Sequence, residues 1–166
     1  MQKIRRGIFE TNSSSAHSIT VDADMKLNNV PLPNEDGSIS IGYGDFGWEI
    51  ENYNDFGNKA AYLAIYIRDW CGELSSEYKD IFEGLIKKIT QCETVTYSYK
   101  FWDQIEKSYI GINDEVCKYY SNLGEGSIDH QSVEDNDYHY LFEDIELLTA
   151  FLFSHEAELN TDNDNH

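Results

Sequence analysis

The chain has 166 residues and is strongly acidic, with 31 Asp plus Glu against 12 Lys plus Arg and a net charge of −19. Neutralising phosphates takes Lys and Arg, so this balance argues against direct binding of nucleic acid or an anionic membrane and favours a basic partner. The length suits one domain that can bury a core without staples, and 14% aromatic residues set the chain apart from an acidic disordered one.

Residues 1–16 read as a basic start and a Ser-rich loop, and Ser18 to Asp22 alternates as a short strand with Ile19 and Val21 on one face. Pro31, Pro33, Asn34 and Asp36-Gly37 mark 23–37 as an irregular connection. Ser38 to Tyr43 alternates again, and Phe46 to Ile50 is expected as its hairpin partner across Gly42, Gly44 and Asp45. A first helix is expected from an Asn58 cap to about Cys71, with Gly72 as its stop. A second, capped by Ser75 or Ser76, places Tyr78, Ile81, Phe82, Leu85, Ile86 and Ile89 on one buried face, and Lys87 and Lys88 suit the negative end of its dipole. Thr94 to Tyr99 is a strand, and Phe101 to Lys107 either continues it or forms a short helix. A third helix is expected over Asp114 to Leu123, capped by Asn113 and ended by Gly124, with 125–137 as loop. A fourth spans Asp144 to Ser154 and buries Ile145, Leu148, Phe151 and Leu152, and residues 160–166 are expected as a flexible polar tail. Trp48, Trp70 and Trp102 are expected in the core. The fold class is therefore α+β: a single acidic domain over 1–166 in which a small, mainly antiparallel sheet packs with about four helices.

Three cysteines, Cys71, Cys92 and Cys117, with no CxxC pair, point to a reducing compartment. No apolar signal core follows the basic start, and no apolar run approaches the length of a membrane span, so a cytoplasmic protein is expected.

The charge is unevenly spread. Lys118 is the last basic residue, and twelve carboxylates follow it: Glu125, Asp129, Glu134, Asp135, Asp137, Glu143, Asp144, Glu146, Glu156, Glu158, Asp162 and Asp164. A second stretch, from Leu27 to Asn58, carries six more without a Lys or Arg. A solvated acidic surface explains such runs in general. A sharper reading is a surface that offers carboxylates where a basic protein expects phosphates, spaced along B-DNA at about one per 1.7 Å of axis. On that reading Glu125, Asp129, Glu134, Asp135, Asp137, Glu143, Asp144 and Glu146 are the candidate partner-binding residues. The aromatic residues Tyr119, Tyr120, Tyr138 and Tyr140 beside carboxylates fit either a binding rim or the core.

Two loops hold residue types suited to chemistry. Thr11 to Ser18 places Ser13, Ser14 and Ser15 just before His17, which invites a Ser–His nucleophile; there is no G-x-S-x-G elbow, and hydroxyls that satisfy a tight turn explain the segment as well. Ser127 to Ser132 contains Asp129 next to His130, and His130-Gln131-Ser132-Val133 has the H-x-S-hydrophobic form of two-histidine phosphoesterases, but His17-Ser18-Ile19-Thr20 misses that form by one position. The alternative catalytic set is thus Ser14, His17, Asp129 and His130. His17, His130, His139, His155, Asp162 and Asp164 lack metal-ligand spacing, and no glycine loop for phosphate occurs, so neither metal nor cofactor is expected.

Arg5-Arg6-Gly7-Ile8-Phe9-Glu10-Thr11-Asn12-Ser13-Ser14-Ser15-Ala16-His17-Ser18 resembles the opening of small proteins encoded by bacteriophages and related mobile elements, which often begin R-x-G-x-F-E-T-N-S-S-S-x-H-S. Phe151 to Ser154 and Thr161 to Asn165 resemble their closing segment, with Asp162 where those proteins have glycine. The resemblance covers some 14 residues at each end and implies phage or prophage origin; it carries no catalytic role. With the charge, it points to an inhibitor of a host defence factor, anti-CRISPR or anti-restriction, whose partner is a basic, nucleic-acid-binding host protein. The alternative is a small hydrolase acting on a nucleotide or phosphoester. A virion component that works by assembly is a third expectation, and the oligomeric state is left open.

Overall fold

Every residue from 59 to 67 is buried, so the first helix has no broad solvent face. A helix enclosed on all sides belongs in the middle of a domain. This one, α1 (Phe56–Trp70), is packed by the second and last helices and by strands of two sheets. The computed structural model describes residues 4–6, 17–47, 51–103, 108–113, 126–129 and 138–161, with backbone alone for 4–6, 99–103 and 108–113. The expected helix over Asp114 to Leu123 lies outside the described residues, as do Trp48 and the Trp102 side chain.

The cap of α1 is Asp55 rather than the expected Asn58. The Asp55 carboxylate accepts from the Asn58 backbone N–H at 2.9 Å and from its side-chain amide at 2.8 Å, which makes Asn58 the donor of the capping pair. A 3-10 turn (Gly72–Leu74) leads into α2 (Ser75–Thr90), so Ser75 sits within the helix and not before it. This helix buries Tyr78, Phe82, Leu85 and Ile86 as its spacing predicts, and it ends on Gln91 in a left-handed conformation. Two short helices follow late in the chain, α3 (His139–Glu143) and α4 (Ile145–Phe153). The Asp144 carboxylate caps α4, accepting from the N–H groups of Glu146 and Leu147 at 3.1 Å each.

Among the described residues nine strands form three small sheets. The first is antiparallel, in the order β1 (Ile4–Arg6), β2 (Ser18–Val21), β9 (Glu158–Thr161), β5 (Glu51–Tyr53). The second joins β3 (Ser38–Gly42), β6 (Thr94–Asp103) and β7 (Ser108–Asn113), and the third pairs β4 (Asp45–Phe46) with β8 (Ser127–Ile128). Antiparallel pairs predominate, and the fold is α+β. Three local expectations fail, the first being that 125–137 is loop throughout, since Ser127–Ile128 form β8. β3 makes no hairpin with β4: it runs parallel to β6 (Ser38↔Thr94 to Gly42↔Ser98), and β4 runs parallel to β8. The Glu93 N–H donates to the Gly37 carbonyl at 2.8 Å and the Tyr43 N–H to the Ser98 carbonyl at 2.8 Å, which fixes the β3–β6 register from both ends. Nor does a flexible tail begin at residue 160, because Asn160 and Thr161 lie in β9, inside the first sheet. Residues 162–166 fall outside the described part.

Cys71 and Cys92 are buried, and Trp70 is half-buried against the core. No helix among the described residues is long and apolar enough to cross a membrane.

The buried stretch of α1 contains one cation. Lys59 is enclosed, and its ammonium donates to the Ser154 carbonyl at 2.6 Å and the Ala157 carbonyl at 3.1 Å, 5.6 Å from the centre of the Phe151 ring. Burial lowers its pKa to about 8, with nearby Asp55 opposing the shift. Lys59→Met keeps the length of the side chain but leaves both carbonyls without this donor. It is expected to lower the unfolding free energy by about 1–3 kcal/mol, read by urea denaturation at pH 7; an unchanged midpoint would refute the role given to Lys59.

Candidate functional site around His17

Strands from near both ends of the chain meet in the first sheet. β2 and β9 pair with Ser18 opposite Asn160, and Asn160 faces Asn52 of β5 on its other side. His17 enters β2 at this end. It is fully buried, and its Nδ1 lies 2.9 Å from the Tyr62 hydroxyl of α1.

An aromatic cluster surrounds this pair. The Tyr62 ring meets Phe46 and Tyr138 edge-on at 5.4 and 5.9 Å, and Tyr138 meets Tyr66 at 5.3 Å. The Tyr138 N–H donates to the Tyr66 hydroxyl at 3.2 Å. Across from Tyr62, Gly47 adopts φ +94. A Cβ there would stand 2.7 Å from His17 Nε2 and 3.0 Å from the Asp129 Cβ, so His17 and Asp129 close on the same glycine. The Asp129 N–H donates to the Phe46 carbonyl at 2.9 Å, extending the β4–β8 pair into this corner.

Burial lowers the His17 pKa to about 4, and the Asp129 carboxylate only partly offsets it, so the imidazole is neutral at pH 7. Burial also pushes the Tyr62 and Tyr138 phenols above their ordinary range. A general base must bring a ring nitrogen within reach of substrate. His17 is sealed, with one nitrogen on Tyr62 and the other against Gly47. The arrangement joins β2, β4, β8 and α1, and its chemistry is that of a buried polar knot.

Of the alternative catalytic set, the structure brings together His17 and Asp129. Ser14 and His130 lie outside the described residues, as do the neighbouring serines and Gln131. Asp129 is also a correction to the partner-binding row: it is buried beside His17, so its carboxylate is not part of an exposed surface. Glu125, Glu134, Asp135 and Asp137 of that row are outside the described residues. Glu143, Asp144 and Glu146 are exposed and adjacent where α3 passes into α4. Tyr138 belongs to the core, and Tyr140 is half-buried against it; Tyr119 and Tyr120 are not described. His139 Nδ1 lies 2.9 Å from the Tyr78 hydroxyl, and His155 is exposed. Among the described residues no group of three or more His, Cys, Asp or Glu could hold a metal ion; Asp162 and Asp164 lie outside them.

Sequence reasoning singled out His17 and Asp129 but missed Tyr62 and Gly47, which hold them. The one available signal for Gly47 was its place just after the strand residue Phe46. No protein-family model, curated protein or solved structure matches this chain.

Gly47→Ala would force a side chain into a backbone region L-residues avoid and against His17. A loss of about 2–4 kcal/mol is expected by denaturant unfolding. His17 also sets a pH dependence. Its folded pKa, about 4, lies below its unfolded value near 6.5, so the unfolded chain takes up the extra proton between the two. The stability linked to the neutral imidazole is complete above pH 6.5 and is lost as pH falls towards 4, in all about 3 kcal/mol at roughly 1.4 per tenfold. His17→Gln should remove that part of the slope, and an NMR titration of the imidazole near 6.5 would contradict it.

Proposed function

We propose that this chain is a phage-type binding protein that inhibits a host defence factor, such as a CRISPR effector or restriction enzyme. It does so in the host-cell cytoplasm by offering carboxylates to a basic channel that normally takes nucleic acid. The observation that supports this reading is at the α3–α4 junction. Glu143, Asp144 and Glu146 stand exposed together, with Glu156 also exposed beyond α4. The ion pairs Arg68–Asp69 and Lys79–Glu83 do not take in these carboxylates. No Lys or Arg follows Lys118 to neutralise them from within the same third of the chain. Charges arranged in this way raise the on-rate for a basic partner and weaken with salt.

A second reading, a small hydrolase of a nucleotide or phosphoester working through His17, His130 and the Ser-rich loop, draws on the closeness of His17 and Asp129. The sealed, neutral imidazole weighs against it.

Affinity capture from host lysate at low salt should recover a nucleic-acid-binding protein that competing duplex DNA releases. The pair Glu143→Lys and Glu146→Lys should weaken that binding by about tenfold or more, with a shallower salt dependence. Recovery of no such protein at low salt, or a captured protein indifferent to DNA, would count decisively against mimicry.

A further inference from the structure

The same acidic corner borders an apolar groove. Between α2, α4 and the connection after β2 there is an open cavity of about 490 Å3. Leu85 and Ala150 are its buried floor, Met25 and Ile89 are half-buried flanks, and Leu27 and Ile145 stand at the lips, 45% and 49% exposed. Exposed large aliphatics on both lips of one groove differ from aliphatics scattered singly over a surface.

The groove is preformed. The Asn29 N–H donates to the Phe153 carbonyl at 2.9 Å, and the His155 N–H donates to the Asn28 side-chain oxygen at 2.9 Å, so the connection is fastened to the end of α4. A partner therefore spends little binding energy on ordering this wall.

Charge around the groove is biased. Two acidic–apolar–acidic triplets, Asp22-Ala23-Asp24 and Asp144-Ile145-Glu146, each send their apolar residue into the lining. Of these carboxylates Glu146 itself lines the groove, while Asp22 and Asp144 also accept from the backbone N–H groups of their own turn and helix cap; the exposed ammonium groups of Lys26 and Lys88 stand against them. The walls are two helices and a loop and offer no strand edge, so an occupant is held by side chains and not by added backbone pairing.

We propose that this groove is the docking site for a basic amphipathic helix of the partner. Its apolar side chains at i and i+3 or i+4 seat between Leu27 and Ile145, and its Lys or Arg side chains meet the carboxylates of the two triplets. The inference rests on the reading of the partner as basic and adds the apolar anchor that charge alone lacks.

The test uses the full chain and a synthetic Leu/Lys peptide with Leu at i, i+3, i+4 and i+7, a scrambled peptide of the same composition, and polylysine, all read by fluorescence anisotropy at low and moderate salt. The patterned peptide should bind about tenfold more tightly than the scramble. Leu27→Asn and Ile145→Asn, both at exposed positions that leave the core intact, should each remove most of that difference. If both peptides bind alike and the two variants change nothing, the groove is no docking site, while the acidic-surface reading stands. If neither peptide nor polylysine binds at low salt, the basic-partner reading falls with it. A concentration-dependent dimer that Ile145→Asn abolishes would assign the groove to a second copy of the chain and overturn the proposal.

Discussion

The arrangement depends on a line of polar groups along the buried helix α1. Lys59, Tyr62 and Tyr66 are spaced three and four apart, which puts them on one side of the helix. Each reaches a junction far away in the chain: Lys59 the carbonyls after α4, Tyr62 the imidazole at the start of β2, and Tyr66 the N–H that opens α3. Hydrophobic burial can collapse these elements in many orientations, because it has no direction. Hydrogen bonds to fixed partners remove most of them. An orphaned buried donor or acceptor costs about as much as several good contacts return, so only arrangements that satisfy all three positions survive.

This explains how the first sheet is assembled. β9 enters the sheet four residues after the carbonyl of Ser154, and that carbonyl is held by Lys59. β2 enters one residue after His17, which is held by Tyr62 one helical turn away. The two strands therefore start from anchors on the same helix, and they pair with each other at Ser18 and Asn160. Gly47 completes the joint. A larger residue would fill the space that lets β4 and β8 bring Asp129 up to His17. Gly126 has a similar part at the other end of β8, where a Cβ would stand 2.7 Å from the Gly44 carbonyl and Arg68 reaches the Gly126 carbonyl at 2.9 Å.

How much of this was legible depended on the range of the cause. α2 and, apart from Ile145, which is exposed where burial was expected, α4 were readable because their apolar faces repeat within a turn, and β2, β3 and the start of β6 because side chains alternate over a few residues. The β3–β4 hairpin misled because glycines at 42 and 44 are a local turn signal, whereas the competing partner, β6, lies two helices further on and leaves no local mark. The last two residues of β9, Asn160 and Thr161, read as tail because the strand, Glu-Leu-Asn-Thr, is short and has one apolar residue; the buried Leu159 and Thr161 do alternate, but over too few residues to stand out. Nothing in the local sequence sets Lys59 apart from an ordinary helix-face lysine. His17 and Asp129 could be picked out by residue type, yet the groups that decide their chemistry, Tyr62 and Gly47, are 45 and 30 positions from His17.

The acid coat and the buried lysine bear on one another. Desolvation disfavours an enclosed ammonium by several kcal/mol, and the lowered pKa of Lys59 records that this effect outweighs the neighbouring Asp55. A net charge of −19 sets a negative potential through the whole molecule, which favours any cation within it and is screened least in the interior. The carboxylates thus oppose compaction by repelling one another and at the same time ease the burial of the cation at Lys59. A basic side chain arriving from outside experiences that same potential, focused where Asp144 and Glu146 flank an apolar lip. In the proposed complex, charge of this kind would attract many basic surfaces about equally, whereas a groove of fixed shape admits few, so discrimination among basic partners would come from the apolar contact.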